Sequence, residues 1–132
     1  KGGLINFQQS SVGATGNALM AAVNANGTTT IKNAAKEPEI EALCHFLLKM
    51  GADIKGIGTD EIIIVGQKTL NADIEYSVIA DRIEAGTFLI AGACTYGDIS
   101  VTNVNPDHLN IVLNYLAEAG FNLDIQNNPI EV

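Results

Sequence analysis

The alternation of apolar and polar residues predicts short strands separated by helices along the first part of the chain. Residues 4–10 begin with alternating apolar positions, which is typical of a strand. Residues 12–25 follow a pair of serines and are apolar on nearly every side, so we predict a capped helix buried on several sides. A β-branched strand over residues 28–35 leads to an amphipathic helix that begins at Pro38.

Two further strands complete this first set of elements. Gly51 ends the amphipathic helix, and the patterns of residues 52–57 and 61–66 predict a hairpin. The glycines of residues 56–60 superficially resemble a nucleotide-binding loop, but no helix follows them, so we interpret this segment as the hairpin turn. The predicted order is β-α-β-α-β-β.

The same order returns at a spacing of about seventy residues. The predicted elements of this second set are strands over residues 74–79, 98–104, 122–126 and 129–132 and helices over residues 82–95 and 106–119. The matching positions are Gly27 with Gly97, Asn33 with Asn103, Pro38 with Pro106, Gly51 with Gly120, and Ile62 and Ile64 with Ile130 and Val132. We therefore predict an α+β fold of two β-α-β-α-β-β units, residues 1–72 and residues 73–132, with the apolar helices clustered inside the sheets.

The composition is that of a globular protein without a nucleic-acid or membrane partner. Of the 132 residues, 47% are hydrophobic and 17% are charged, and the net charge is −8 with seven scattered basic side chains. Binding to phosphate backbones needs clustered basic residues. No apolar run reaches the roughly 18 residues that span a bilayer.

The two cysteines lie in apolar helical patterns. Because Cys44 and Cys94 lack cationic neighbours in sequence, we expect two unreactive thiols buried in the core. Buried free thiols fit a reducing compartment, so we expect a cytoplasmic protein.

The strongest candidate site is the start of the first helix, residues 11–15. Free backbone N–H groups and the positive end of the helix dipole can hold a phosphate there, and Gly13 allows close approach. A capped and tightly packed helix start explains the same residues without any ligand. The residues alone leave both interpretations open.

The other candidates are explained by structure more simply. Asp81 followed by Glu84 makes a variant capping box at the start of a helix. His45 and His108 have no second ligand at metal-binding spacing. We therefore expect no metal and no cofactor.

Five segments of the chain closely resemble the UDP-N-acetylglucosamine 1-carboxyvinyltransferase family of enolpyruvyl transferases. They are SVGAT at 11–15, NAAKEPEI at 33–40, MGADIKGIGTD at 50–60, DRIEAGTFL at 81–89 and NVNPDHL at 103–109. The resemblance covers essentially the whole chain, but only about the middle third of such an enzyme. It implies two domains, each an inside-out α/β prism of three β-α-β-α-β-β units.

The resemblance also implies a function. The family transfers the enolpyruvyl group of phosphoenolpyruvate to the 3-hydroxyl of UDP-N-acetylglucosamine during peptidoglycan synthesis, and releases phosphate. It implies that Gln9, Ser10, Ser11, Val12 and Gly13 contribute to the UDP-sugar site, although many relatives carry a lysine where Gln9 stands.

The family's catalytic residues lie outside this chain, so the resemblance implies a central fragment that has no catalytic residue. We expect the fragment to be inactive alone, with the remaining units of the same enzyme as its partners. Residues 74–80 are expected to hold a hinge strand between the two domains, and Asp81 to lie near the cleft between them.

Two alternatives stay open. The chain could come from a shikimate-pathway enolpyruvyl transferase, although the Ser-x-Gln-x-Lys-Ser pattern usual at that helix start is missing. It could also be a stand-alone, non-catalytic two-unit module that serves in binding or assembly.

Overall fold

A computed structural model describes residues 1–125 and 130–131 of the chain. The chain divides into two compact units, Lys1–Val78 and Ile79–Val132. This division falls later than the boundary that we predict between residues 72 and 73. The assignment of the two units to two family domains stays a prediction.

The first unit has the predicted order of elements. They are β1 (Leu4–Asn6), α1 (Val12–Ala22), β2 (Thr28–Lys32), α2 (Pro38–Lys49), β3 (Asp53–Lys55) and β4 (Glu61–Val65). The predicted local signals are confirmed: Ser11 caps α1, proline opens α2, and Gly51 follows α2 at φ +95°. A left-handed backbone of this kind favours glycine because no Cβ is present to clash.

The four strands form one sheet in the order β1-β2-β4-β3. β1 runs parallel to β2, while β2 and β3 are both antiparallel to β4. Ile62 and Ile64 alternate along β4 and are fully buried, as is Ile31 on β2. They join Leu19 of α1 and Cys44 of α2 in one core cluster. The apolar face of the sheet is thus covered by the two helices.

The second unit repeats this layout, but no strand of the described residues precedes its first helix. Its elements are α3 (Arg82–Thr95), β5 (Ser100–Val101), a 3₁₀ turn (Pro106–Leu109), α4 (Asn110–Glu118), β6 (Asp124–Ile125) and β7 (Ile130–Glu131). The strand order β5-β7-β6 matches β2-β4-β3 of the first unit. The predicted strands over residues 122–126 and 129–132 extend partly onto residues 126–129 and 132, which lie outside the described residues.

The strand predicted over residues 74–79, and with it the hinge strand over residues 74–80, is wrong. None of these residues belongs to a strand. Ile74 and Tyr76 are half-buried and Glu75 and Ser77 are exposed, so the alternation of burial that the pattern predicts is present up to Ser77 and ends at the exposed Val78. The segment packs on α2 through the ring of Tyr76, which contacts Phe46, and does not pair with a sheet.

The apolar helices are less buried than predicted. α1 exposes Met20, and α3 exposes Ile83, Phe88 and Ile90, of which Ile83 is 63% exposed. Each helix buries only one face. The buried face of α3 consists largely of small residues such as Gly86. None of the helices in the described ranges has the length and apolar character to cross a bilayer.

Candidate functional site

The two helices of the first unit begin at the same edge of its sheet. β1 and β2 are parallel, with Leu4 opposite Thr30 and Asn6 opposite Lys32. The carboxyl ends of parallel strands meet at one edge, so the loops that lead into α1 and α2 are neighbours. We call residues 9–13, which carry the predicted site, the α1 start.

Local hydrogen bonds shape the α1 start. The Ser11 hydroxyl accepts from the Ala14 amide at 3.3 Å, and the Ser11 carbonyl accepts from the Thr15 amide at 2.9 Å. The Asn17 side chain donates to the Gly13 carbonyl at 2.8 Å. The Ala14 and Thr15 amides are thus used within the helix start. Because the first amides of a helix have no intrahelical acceptor, those of Val12 and Gly13, at the positive end of the helix dipole, are the groups that can attract an anion.

All five predicted site residues lie together and are open to solvent. Gln9, Ser10, Ser11 and Gly13 are exposed, and Val12 is half-buried. A Cβ at Gly13 would meet no atom within 4 Å. The packing of the protein therefore does not require glycine at this position, and a ligand can approach the backbone there.

A buried hydroxyl joins the first turn of α1 to the loop before α2. Thr15 is fully buried, and its Oγ1 accepts from the Ala35 amide at 3.0 Å. Close by, Asn33 adopts φ +54° and donates from Nδ2 to the Phe7 carbonyl at 3.0 Å. Neither contact is predicted from the sequence. The one signal for the first contact is a lone threonine on an otherwise apolar face of α1.

Few cations lie at this edge of the sheet. Lys32 ends β2 there, and its Nζ lies 3.3 Å from Glu61 Oε2 in an exposed ion pair. Exposed pairs of this kind contribute about 0–1 kcal/mol. Lys36, in the loop before α2, is exposed. Gln9 contributes no charge of its own.

The structural interpretations of Asp81 and of residues 56–60 are confirmed. The Asp81 carboxylate accepts from the amides of Ile83 at 2.8 Å and Glu84 at 3.1 Å, which caps α3. Residues 56–60 connect β3 to β4 as a hairpin. A Cβ at Gly56 would lie 2.0 Å from the Glu61 carbonyl oxygen, so this turn needs glycine for steric reasons.

The histidines show no metal-binding arrangement. His45 is exposed on α2, and Nε2 of His108 lies 3.3 Å from the side-chain nitrogen of Asn105. Within residues 1–125 and 130–131, no three side chains from His, Cys, Asp and Glu come together in a group that could hold a metal ion.

The two cysteines differ, and the prediction that both are buried is wrong for Cys94. Cys44 is fully buried, and burial, reinforced by the charge of Glu41, raises the pKa of its thiol to about 11. Cys94 is exposed. Cys94 directly follows the buried Ala93 on α3. Successive side chains of an α-helix point about 100° apart, so the Cys94 side chain points away from the buried face.

Sequence comparison relates the chain to one family over its entire length. The model of the EPSP synthase family (3-phosphoshikimate 1-carboxyvinyltransferase) matches residues 1–132. The UDP-N-acetylglucosamine 1-carboxyvinyltransferase of Chlorobium luteolum is 55% identical over 130 residues, which are 98% of this chain and 30% of that protein. The protein of the same name from Pelodictyon phaeoclathratiforme is 57% identical over the same shares. The chain thus spans about a third of the length of these relatives.

Structural comparison supports the fold. The crystal structure of the enolpyruvyl transferase NikO from Streptomyces tendae matches 90% of this chain with a TM-score of 0.74 and 24% sequence identity. The match covers 29% of the NikO chain. The predicted α+β fold with enolpyruvyl transferase topology is therefore confirmed, apart from the strand missing at residues 74–79.

Replacing Thr15 with valine tests the link between the α1 start and the neighbouring loop. The substitution keeps the shape but leaves the buried Ala35 amide without an acceptor, so the free energy of unfolding should fall by about 1–3 kcal/mol. Urea unfolding measures this loss. Thr87→Val is the matched control, because Thr87 is exposed and bonds only within α3; equal losses in both variants would contradict the role of Thr15.

The two thiols should react at different rates. At pH 8 iodoacetamide should modify Cys94 and leave Cys44 intact, because burial keeps Cys44 protonated. Its raised pKa should also make the folded state less stable as pH rises from about 9 towards 11, since the unfolded thiol ionises first. Mass spectrometry of the modified peptides reads out the first effect, and a Cys44→Ala variant without this pH dependence supports the second. Equal labelling of the two peptides would refute the difference in burial.

Proposed function

Since the chain belongs to the EPSP synthase family, we propose that it forms part of an enolpyruvyl transferase whose acceptor is UDP-N-acetylglucosamine. The observation that carries this proposal is the identity of 55–57% to two relatives of that name. In this reaction the 3-hydroxyl oxygen of the sugar bonds to C2 of phosphoenolpyruvate, and the C–O bond to phosphate breaks. The products are the enolpyruvyl ether of the UDP-sugar and inorganic phosphate.

The role of this chain is to bind the UDP-sugar at the α1 start. Ser11 and Gly13 are exposed and Val12 is half-buried at the positive end of a helix dipole, which suits a diphosphate. Gln9 and Ser10 supply neutral hydrogen-bonding groups beside it. The catalytic groups belong to other segments of the enzyme, so the chain alone is inactive.

This reaction also suggests where the enzyme acts, which cell processes it serves and which partners this chain has. The enzyme acts in the cytoplasm in peptidoglycan synthesis, and so contributes to cell shape and to the cell cycle. Its remaining units are the partners of this chain, and the exposed apolar side chains Ile83, Phe88 and Ile90 of α3 support this because neighbouring units can bury them. Neither a cofactor nor a metal takes part.

A second candidate acceptor is shikimate 3-phosphate. The family whose model matches the chain is that of EPSP synthase, a 3-phosphoshikimate 1-carboxyvinyltransferase. The full-length protein that contains this segment separates the two acceptors: phosphoenolpyruvate is supplied with either UDP-N-acetylglucosamine or shikimate 3-phosphate, and phosphate release is measured. We expect turnover with the UDP-sugar alone. Turnover with shikimate 3-phosphate alone would overturn the proposal, and turnover by the isolated 132-residue chain would overturn its predicted inactivity.

Restoring a cation at position 9 tests the binding role of the α1 start. In the full-length enzyme, Gln9→Lys should lower the KM for UDP-N-acetylglucosamine by about fivefold to tenfold, because a charge-assisted bond to phosphate adds roughly 1–1.5 kcal/mol. The KM for phosphoenolpyruvate should stay unchanged, and added salt should weaken the gain.

The matched control is Gln8→Lys, which places the same charge on the neighbouring exposed residue. If Gln8→Lys lowers the KM as much as Gln9→Lys does, the effect is a general electrostatic one. An unchanged KM in Gln9→Lys would argue against diphosphate binding at this position.

A further inference from the structure

The segment that leaves the first unit is fastened to α2 at both of its ends. The Asn71 amide donates to the Met50 carbonyl at 2.8 Å, directly after the end of α2. An Asx turn follows, in which the Asp73 amide donates to the side chain of Asn71 at 3.0 Å. Farther along, the Tyr76 hydroxyl donates to the Ala42 carbonyl at 2.9 Å.

Side chains of α2 contact the C-terminal end of this segment, at Glu75 and Tyr76. The rings of Tyr76 and Phe46 meet edge to face, with centroids 5.3 Å apart and an interplanar angle of 72°. Such aromatic pairs contribute beyond the area that they bury. The Lys49 ammonium donates to the Glu75 carbonyl. Ala42, Phe46 and Lys49 recur at helical spacing on one face of α2, beside the face that packs into the core.

These contacts stop abruptly after Tyr76. Val78 is 85% exposed, and Ser77 is also exposed. The next anchored residue is Ala80, which is half-buried and packs against the core of the second unit just before Asp81 caps α3. Residues 77–79 therefore separate a fastened segment from the packed start of the second unit.

We infer that Tyr76, Phe46 and Lys49 form a clasp that holds residues 71–76 on α2 and limits the freedom of the connection between the two units to residues 77–79. The clasp is independent of the proposed substrate. It lies in the region where the family resemblance implies a hinge strand. Its consequence is mechanical: opening the clasp lengthens the flexible connection by the whole of residues 71–76.

Proteolysis after Glu75 measures the opening of the clasp in the whole chain. Glutamyl endopeptidase should cut the wild type slowly at this bond, since cleavage tracks the population of the open form. Three variants each remove one contact: Tyr76→Phe, Phe46→Leu and Lys49→Met. Each should speed cleavage after Glu75 by about fivefold, the effect of losing one net hydrogen bond or ring contact. Phe46→Leu and Lys49→Met leave the sequence at the cut site unchanged.

Internal and matched controls separate the clasp from general loosening. Cleavage after Glu118 on α4 should keep its wild-type rate in all three variants. Tyr115→Phe and Lys55→Met alter an exposed tyrosine and an exposed lysine elsewhere, and should not change cleavage after Glu75. If Phe46→Leu also speeds cleavage after Glu61 in β4, the exposed Lys49→Met variant decides. Cleavage after Glu75 within about twofold of wild type in Lys49→Met and Tyr76→Phe overturns the clasp.

Discussion

The parallel pairing of β1 with β2 is the constraint on which the candidate site depends. Because the two strands run in the same direction, both end at one edge of the sheet and both are followed there by a helix. The Phe7 amide continues the pairing by donating to the Lys32 carbonyl at 3.2 Å. The bond from the Ala35 amide to Thr15 then fixes the first turn of α1 against the neighbouring loop. The α1 start is thus held from two sides while its backbone stays exposed.

The second unit has a core of its own with a similar arrangement, but it lacks this constraint. β5, β7 and β6 repeat the order of β2, β4 and β3, and Ile130 occupies the buried place of Ile62. No strand stands where β1 would be, since residues 74–79 lie outside any sheet. Both helices begin at a side-chain cap, Ser11 for α1 and Asp81 for α3, but only α1 also follows a paired strand. The two units therefore differ in what holds the start of their first helix. The family resemblance implies a ligand at the start of α1, which follows a paired strand.

Local chemistry was predictable from sequence, whereas choices between packing partners were not. Ser11, Pro38, Gly51 and Asp81 act within one turn of a helix, and the structure confirms each of them. The strand predicted through Tyr76 failed because alternation reports which side chains are buried, not what buries them. The five residues of the α1 start could be proposed from motif and resemblance. The contact that fixes their first turn joins Thr15 to Ala35 across twenty residues, and no local pattern reports it.

Titration of the full-length protein with UDP-N-acetylglucosamine, followed by the backbone amide resonances of Val12 and Gly13, shows whether the α1 start binds the UDP-sugar. We expect saturable shifts of both signals, with an apparent dissociation constant equal to that for the whole protein, and no shift at Gly51 beyond the other end of α2. Saturated binding that leaves the Val12 and Gly13 signals unmoved would mean that the α1 start does not hold the UDP-sugar.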